Sequence, residues 1–516
     1  MDWFETELRR ASIMRVVGFA IAIFFAVMAT RIPTFWTVST HIDEGVFALV
    51  AREIVNGNLP YSTVFEHKPI ALYYPAALFM ALFGTTPEVM HFTSAVLVLM
   101  TCMALFHYAL KRGLSDVHSF LLAVSYAVLT CGFQGYASLS EINVNAFMAI
   151  GFALADTGFK SSLLRRFLAG LSFGAALHSN YIVGFALVGV GLGYTVTCLH
   201  VRSTFRAYVM SSAALLLGFF SATFLILLPL MLWGDLTQYL QDQIAFLSGY
   251  SVGRDPLGLL ERLLLFAPTI AIIIGILLVN NSTERDCDSP PYLIFGATLG
   301  FVVAIYLGGR NFDHYFLFFL PGISFTLAWA LSKTTMIPAV SILAIAAFFG
   351  QSVTIYGGAF YTFQTGTVDL IRTIAGQEAR YDVESRIVQA ASAHVAPGDL
   401  GYVSCANPML YVALGLEPAT RYAFYPHHLY SLHTDAFETT PENEINAIIE
   451  RRPSLVILGD YASCVWISRD TWDTMQTSLE DAGYVIMHAI EGYMLMRPRE
   501  QISTVSTEHT NEFSKR

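Results

Sequence analysis

Charge is the scarcest commodity in this sequence. Only 13% of its 516 residues are Asp, Glu, Lys or Arg, while 55% are apolar and the mean hydropathy is +0.54. A soluble chain carries about a quarter charged residues, so the deficit excludes a single water-exposed globule. It is also uneven: apolar runs dominate from about residue 16 to 358, whereas 359–516 has the composition of an ordinary soluble domain. Net positive charge is absent. A formal charge of −10 and a pI of 5.8 exclude a nucleic-acid partner, because phosphate binding needs a basic face. The six cysteines form no CxxC and no Cys/His cluster, so nothing points to zinc. Cys102, Cys131 and Cys198 sit in apolar runs and read as small core residues. Cys405 and Cys464 both fall in the soluble stretch and can pair if that domain faces an oxidising compartment. Met1 to Arg15 is charged and precedes an apolar run with no convincing small-residue cleavage site, so the first span reads as a retained helix.

What is present in quantity is apolar sequence in lengths that cross a bilayer, which takes about 20 residues. Eleven candidate spans cover roughly 14–33, 90–109, 117–134, 141–159, 166–178, 181–199, 207–231, 261–280, 291–307, 314–332 and 336–357. Basic residues then fix the orientation. Arg9, Arg10 and Arg15 place the N-terminus in the cytoplasm, and alternation puts Lys111/Arg112, Lys160/Arg165/Arg166, Arg202/Arg206 and Lys333 on the same side. Two readings decide the parity. Residues 166–199 are taken as two short helices turning at His178-Ser179-Asn180, and Ile70–Phe83, with Pro75 inside it, as a helix lying on the membrane surface. Segments 34–89, 135–140, 232–260, 308–313 and everything beyond 358 then lie outside.

The first outside loop is much the longest, and long ordered loops carry function. Phe47, Val50, Ala51 and Ile54 recur at helical spacing, with Asp43 at the expected N-cap position and Gly57 beyond the other end. On local pattern alone, Asp43 caps the helix and does nothing else. Yet Asp43 and Glu44 stand beside a membrane surface with Glu66-His67-Lys68 at the far end of the same loop. Acid, base and cation in one loop suit a proton transfer beside a phosphate.

The pattern Asp43-Glu44-Gly45-x-Phe47-Ala48-x-x-Ala51-Arg52-Glu53-Ile54-x-Asn56-Gly57-x-x-Pro60-Tyr61, followed by His67-Lys68-Pro69, resembles the membrane-embedded GT-C glycosyltransferases. The nearest groups are the protein O-mannosyltransferases, the lipid A aminoarabinose transferases and their rhizobial galacturonosyltransferase relatives. The resemblance implies Asp43 as catalytic base with Glu44 beside it, Lys68 on the donor phosphate, and Glu66, His67 and Tyr61 supporting the acceptor or the loop. Relatives often carry two prolines after the lysine; here Ile70 follows Pro69.

Two further sites follow. Glu141 opens the fourth span, where a carboxylate also suits the helix dipole; the resemblance makes it a second acid facing the cavity of Asp43, with Asn143 and Asn145 as weaker candidates. In Arg310-Asn311-Phe312-Asp313-His314-Tyr315 the basic residues are placed either to snorkel to headgroups or, as the resemblance to an RxxxHY segment implies, to hold a phosphate through Arg310 and His314. Gly189-Val190-Gly191-Leu192-Gly193 lies inside a span and signals close helix packing rather than a nucleotide loop.

The tail alternates helical and strand patterns: helices at 382–396, 408–414, 442–451 and 474–482, strands at 400–404, 455–459, 484–489 and 493–496. The expected architecture is a polytopic α-helical membrane protein of GT-C type. Residues 1–358 form the transferase domain, 359–500 an extracytoplasmic α/β domain without its own activity, and 501–516 a disordered tail. By resemblance the partners are a polyprenyl-phosphate-linked sugar, a lipid or glycan acceptor (lipopolysaccharide core or lipid A preferred) and membrane lipids, in a bacterial inner membrane. The reaction expected is transfer with inversion. No motif demands a metal, although a divalent ion bridging Asp43, Glu141 and a phosphate fits the charges. A transporter or flippase of lipid-linked sugars is the competing class; its ionisable groups would sit at midplane.

Overall fold

The computed structural model describes residues 2–155, 162–234, 236–250, 255–279, 290–309, 311–333, 367–368, 371–372, 374–375, 382–424, 439–464 and 467–501. The expected span at 336–357 and the tail at 502–516 lie outside them. The membrane part is helical throughout: α1 (Asp2–Arg31), the loop helices α2 (Ile42–Val55) and α3 (Tyr74–Phe83), then α4 (Pro87–Lys111), α5 (Asp116–Gly132), α6 (Ser140–Ala155), α7 (Leu163–Leu177), α8 (Val183–His200), α9 (Phe205–Trp233), α10 (Leu236–Tyr250), α11 (Pro256–Leu264), α12 (Ala267–Val279), α13 (Tyr292–Gly308) and α14 (Phe319–Lys333). Among the described residues five helical segments are long and apolar enough to cross a membrane, six if the α11–α12 pair, bent by 59°, is one span. The chain is a multi-pass membrane protein. Exposed Phe, Leu and Val residues along α8 and α9, such as Leu192, Leu217 and Phe220, are the lipid-facing surface that such spans need.

The turn expected at His178-Ser179-Asn180 is where α7 ends and α8 has not yet begun. The glycines in α8 do what their setting suggested. A Cβ on Gly189 would collide with the Gly296 carbonyl oxygen of α13, so the two backbones touch as small residues in spans allow. Residues 70–83 form a 3₁₀ turn (Ile70–Leu72) followed by α3. Segment 232–260, expected only as a loop, contains the whole of α10.

The C-terminal domain carries α15 (Val383–Ala391), β1 (Leu400–Ser404), α16 (Met409–Ala413), β2 (Glu417–Pro418), α17 (Pro441–Arg451), β3 (Leu455–Gly459), α18 (Arg469–Asp481), β4 (Tyr484–Ile490) and β5 (Tyr493–Pro498). The sheet order is β2-β1-β3-β5-β4, parallel across β2, β1 and β3 and antiparallel at β3–β5 and β5–β4. Strand β3 is buried along its whole length, as expected of a strand covered on both faces. Cys405 and Cys464 form a disulfide.

The hydrophobic cores divide the molecule in a way that the sequence boundary at 358 does not suggest. The spans bury one cluster. A second unites Val46, Phe47 and Val50 of α2 with Met409, Leu410 and Tyr411 of α16 and the inner face of the sheet. Loop helix and α/β domain therefore share one core. Arg52, buried, donates to the carbonyls of Tyr411 at 2.9 Å and Leu416 at 2.8 Å and pairs with Glu53 at 3.2 Å. Asn407 donates to Ser39 Oγ at 2.9 Å, and Asp382 accepts from the Val38 amide at 3.0 Å.

Gly45 marks the closest approach. An alanine there would gain about 0.5–1 kcal/mol of helix preference, but its Cβ would run into Asn407 Oδ1 and the Met409 amide nitrogen. Overpacking against backbone costs about 1–3 kcal/mol, so the steric term wins. Gly45→Ala is expected to lower the thermal midpoint in detergent and to speed proteolysis of the C-terminal domain. An unchanged midpoint would show that this contact is loose.

Candidate active site

The loop around α2 is anchored before it does any chemistry. The cap of α2 is His41, whose Nδ1 accepts from the Asp43 amide at 3.2 Å. This corrects the expectation that Asp43 caps the helix. Histidine is not a common cap, so the pattern pointed to the nearest Asp; with capping done by a neighbour, the Asp43 carboxylate is free for another purpose. It is half-buried and stands in the fields of His41, His314, Lys68 and His67. Burial alone would raise its pKa, but those four groups outweigh it and hold the carboxyl below its ordinary value. Asp43 is therefore a carboxylate at neutral pH.

Glu44, one residue on, has a different setting. It is fully buried. Its Oε2 accepts from the Thr40 amide at 3.1 Å and the Thr40 hydroxyl at 2.7 Å and lies 3.4 Å from His91 Nε2; its Oε1 accepts from the Ser138 amide at 2.8 Å. The carboxylate is occupied in binding α2 to α4 and to the 133–139 loop. The next turn along, Glu141 is buried at the start of α6, within the fields of Lys68 and Asp43, and its Oε1 has no hydrogen-bond partner among the described residues. Nearby, Asn180 donates to Ser140 Oγ at 3.0 Å, and the His178 carbonyl accepts from the Ala71 amide at 2.9 Å. The α7–α8 turn thus ties the loop to the start of α6.

Lys68 is held from its backbone. The hydroxyls of Tyr61 and Tyr73 both reach the Lys68 carbonyl, at 2.6 and 3.4 Å. Glu66, buried, accepts from the His67 amide at 2.7 Å and meets His67 Nδ1 at 2.6 Å. The His67 ring stacks on Phe246 with centroids 4.2 Å apart. Tyr239 packs on Tyr61 and bonds Tyr181 at 2.8 Å, and Gln243 donates to the Glu66 carbonyl at 3.3 Å. Sequence reasoning missed this wall from α10. The signal was there: Tyr239, Gln243 and Phe246 follow at i, i+4 and i+7. Tyr73 was also missed, because nothing local distinguishes it from Tyr74.

His314 meets His41 edge-on, with ring centroids 5.3 Å apart, so the late-helix histidine does reach the loop. Arg310 lies outside the described residues. Asn143 donates to the Leu139 carbonyl at 3.2 Å, and Asn145 donates to Tyr126 and to the Leu317 carbonyl; the latter ties α6 to the 3₁₀ turn Asp313–Phe318. Among the described residues no three His, Cys, Asp or Glu side chains gather where a metal would sit.

No protein-family model matches the sequence, and no curated protein matches it. Two solved structures share its fold. ArnT from Cupriavidus metallidurans bound to undecaprenyl phosphate superposes with a TM-score of 0.61 at 12% identity, over 94% of this chain and 98% of that one. The apo form of the same protein gives 0.62 at 12% identity, over 95% and 98%. The chain therefore shares the fold of these ArnT structures over nearly its whole length.

Glu44 is held below its usual 4.5: burial opposes this, and His91, Thr40 and Ser138 overcome it. A group lowered in the folded state adds stability that is complete above its unfolded value and is lost as pH falls through the folded one. The gap in thermal midpoint between wild type and Glu44→Gln should be widest near neutral pH and close as pH drops below 4.5. A gap independent of pH would remove the ionised carboxylate from the account.

Proposed function

We propose that this chain is an inverting glycosyltransferase that moves a sugar from a polyprenyl-phosphate carrier to a hydroxyl of a cell-envelope acceptor. The observation that carries the reading is the ionised Asp43 set among Lys68, His314 and His41 at the mouth of a fold shared with a protein whose structure holds undecaprenyl phosphate. An anion kept charged beside cations is a base, not an acid.

The acceptor oxygen attacks the anomeric carbon and passes its proton to Asp43. The carbon–oxygen bond to the phosphate breaks, and the polyprenyl phosphate leaves with the bonding pair. Charge growing on that leaving group meets Lys68, with Arg310 as a second cation by resemblance and His314 as a hydrogen-bond donor; aligned charges and donors in a water-poor site are strong stabilisers of such charge. Glu141, with one oxygen unspent, orients the acceptor. Glu66, His67 and Tyr61 fix the segment that carries Lys68.

The N-terminus is assigned to the cytoplasm of a bacterial inner membrane and the α/β domain to the outer side. The Cys405–Cys464 disulfide supports this, since such bonds persist in oxidising compartments. Lipopolysaccharide core or lipid A is the preferred acceptor.

The test uses purified protein in lipid with a panel of labelled polyprenyl-phosphate sugars. Asp43→Asn is expected to lower turnover by about 10²–10⁴-fold, the usual contribution of a positioned base, with the fold intact. Lys68→Ala should lower turnover too. If no donor reacts and labelled carrier crosses the bilayer equally with wild type and Asp43→Asn, the protein is a transporter.

A further inference from the structure

The aim of Asp43 depends on a residue outside the loop. His91 lies one turn into α4, fully buried, with Phe35 edge-on at 6.0 Å and Nε2 3.4 Å from Glu44 Oε2. Glu44 in turn is fastened to Thr40 before the helix and to Ser138 across the cavity. Asp43 sits between Thr40 and Glu44 in a first helical turn capped by His41. First-turn amides lack intrahelical partners, so the direction of the Asp43 side chain is set by what fixes Glu44.

We propose that His91 is a positioning residue: acting through Glu44, it holds the first turn of α2 against the bundle and so orients Asp43 for proton transfer. This rests on the reading of Asp43 as base. His91 touches neither donor nor acceptor in this scheme. Its removal takes away the imidazole packed 3.4 Å from the Glu44 carboxylate and leaves a cavity beside it, so that Glu44 shifts and carries its neighbour along. Misplacing a catalytic group by about 1 Å costs roughly a hundredfold in rate.

The experiment compares wild type, His91→Ala and His91→Gln; the glutamine amide fills much of the ring's place and keeps a polar nitrogen beside Glu44. Hydrogen exchange over residues 38–47 reports the first turn directly, with exchange in β1 and β3 as the reference for the fold. The expected result is exchange about tenfold faster in that segment for His91→Ala, recovered in His91→Gln, with the sheet unchanged, as for a locally opened turn. Turnover with the reactive donor should fall by roughly ten- to a hundredfold in His91→Ala, the KM for the donor staying level, and return in His91→Gln. Unchanged exchange in His91→Ala overturns the proposal, whether or not any donor reacts. Equal loss in both variants, or a rise in KM with kcat preserved, also overturns it. Altered exchange with no donor reacting in wild type leaves the positioning contact standing and removes the transferase reading instead.

Discussion

A carboxylate withdrawn from water must be surrounded by donors or become neutral. Glu44 meets that demand with hydrogen bonds from Thr40 ahead of α2 and Ser138 in the loop between α5 and α6, and His91 on α4 packs 3.4 Å away. Because the cost of leaving any of them unmade is high, the three pieces have one mutual arrangement. The 133–139 loop is itself pinned from the other side. Arg31 at the end of α1 is completely buried and donates to the carbonyls of Ala127 and Gly135 and to Thr130 Oγ1. A buried cation on one flank of that loop and a buried anion on the other give the entry to α6, and hence Glu141, a fixed place.

The α/β domain completes the frame. Its core is continuous with that of α2, and the approach at Gly45 is close enough that backbone meets backbone. Arg52 satisfies two carbonyls of the domain from within the loop. A domain attached this way is part of the loop's support, and the loop helix is sandwiched between it and the spans. This accounts for a long extramembrane loop being ordered: conformational entropy is offset by a core that the loop could not form alone.

The apolar helices and the strands were the most legible elements of the sequence, because length and periodicity are local properties. Strands 400–404 and 455–459 appear with those bounds, and the break between α7 and α8 falls where basic residues required it. Less was legible where partners come from far along the chain. Glu44 and Asp43 look alike in sequence, an acid pair at a helix start, and what distinguishes them includes partners as distant as Ser138, 94 positions away. The cap was misread because His41 does work usually given to Asp or Ser. Helix α10 was passed over since its polar residues made 232–260 look like a connector, although its apolar stripe has helical spacing. The motif pointed to Lys68 and His314 but not to Tyr73, which helps hold the Lys68 carbonyl, because a hydroxyl's target is set by tertiary structure.

The contrast between Asp43 and Glu44 also explains why two adjacent acids are needed. An isolated carboxylate near so much apolar surface would be pushed toward its neutral form. Asp43 avoids this by charge: His41, His314, Lys68 and His67 surround it at distances where they act as a field. Glu44 avoids it by donors in direct contact, which consume its oxygens. A field leaves the lone pairs of Asp43 open to a proton; contact does not. In the proposed transferase scheme Lys68 both helps hold Asp43 ionised and attracts the phosphate, so arrival of an anionic donor would divide its field between two anions and raise the proton affinity of Asp43. Such coupling needs Lys68 to be shared, and that sharing depends on the loop keeping Asp43 and Lys68 within reach of a single phosphate.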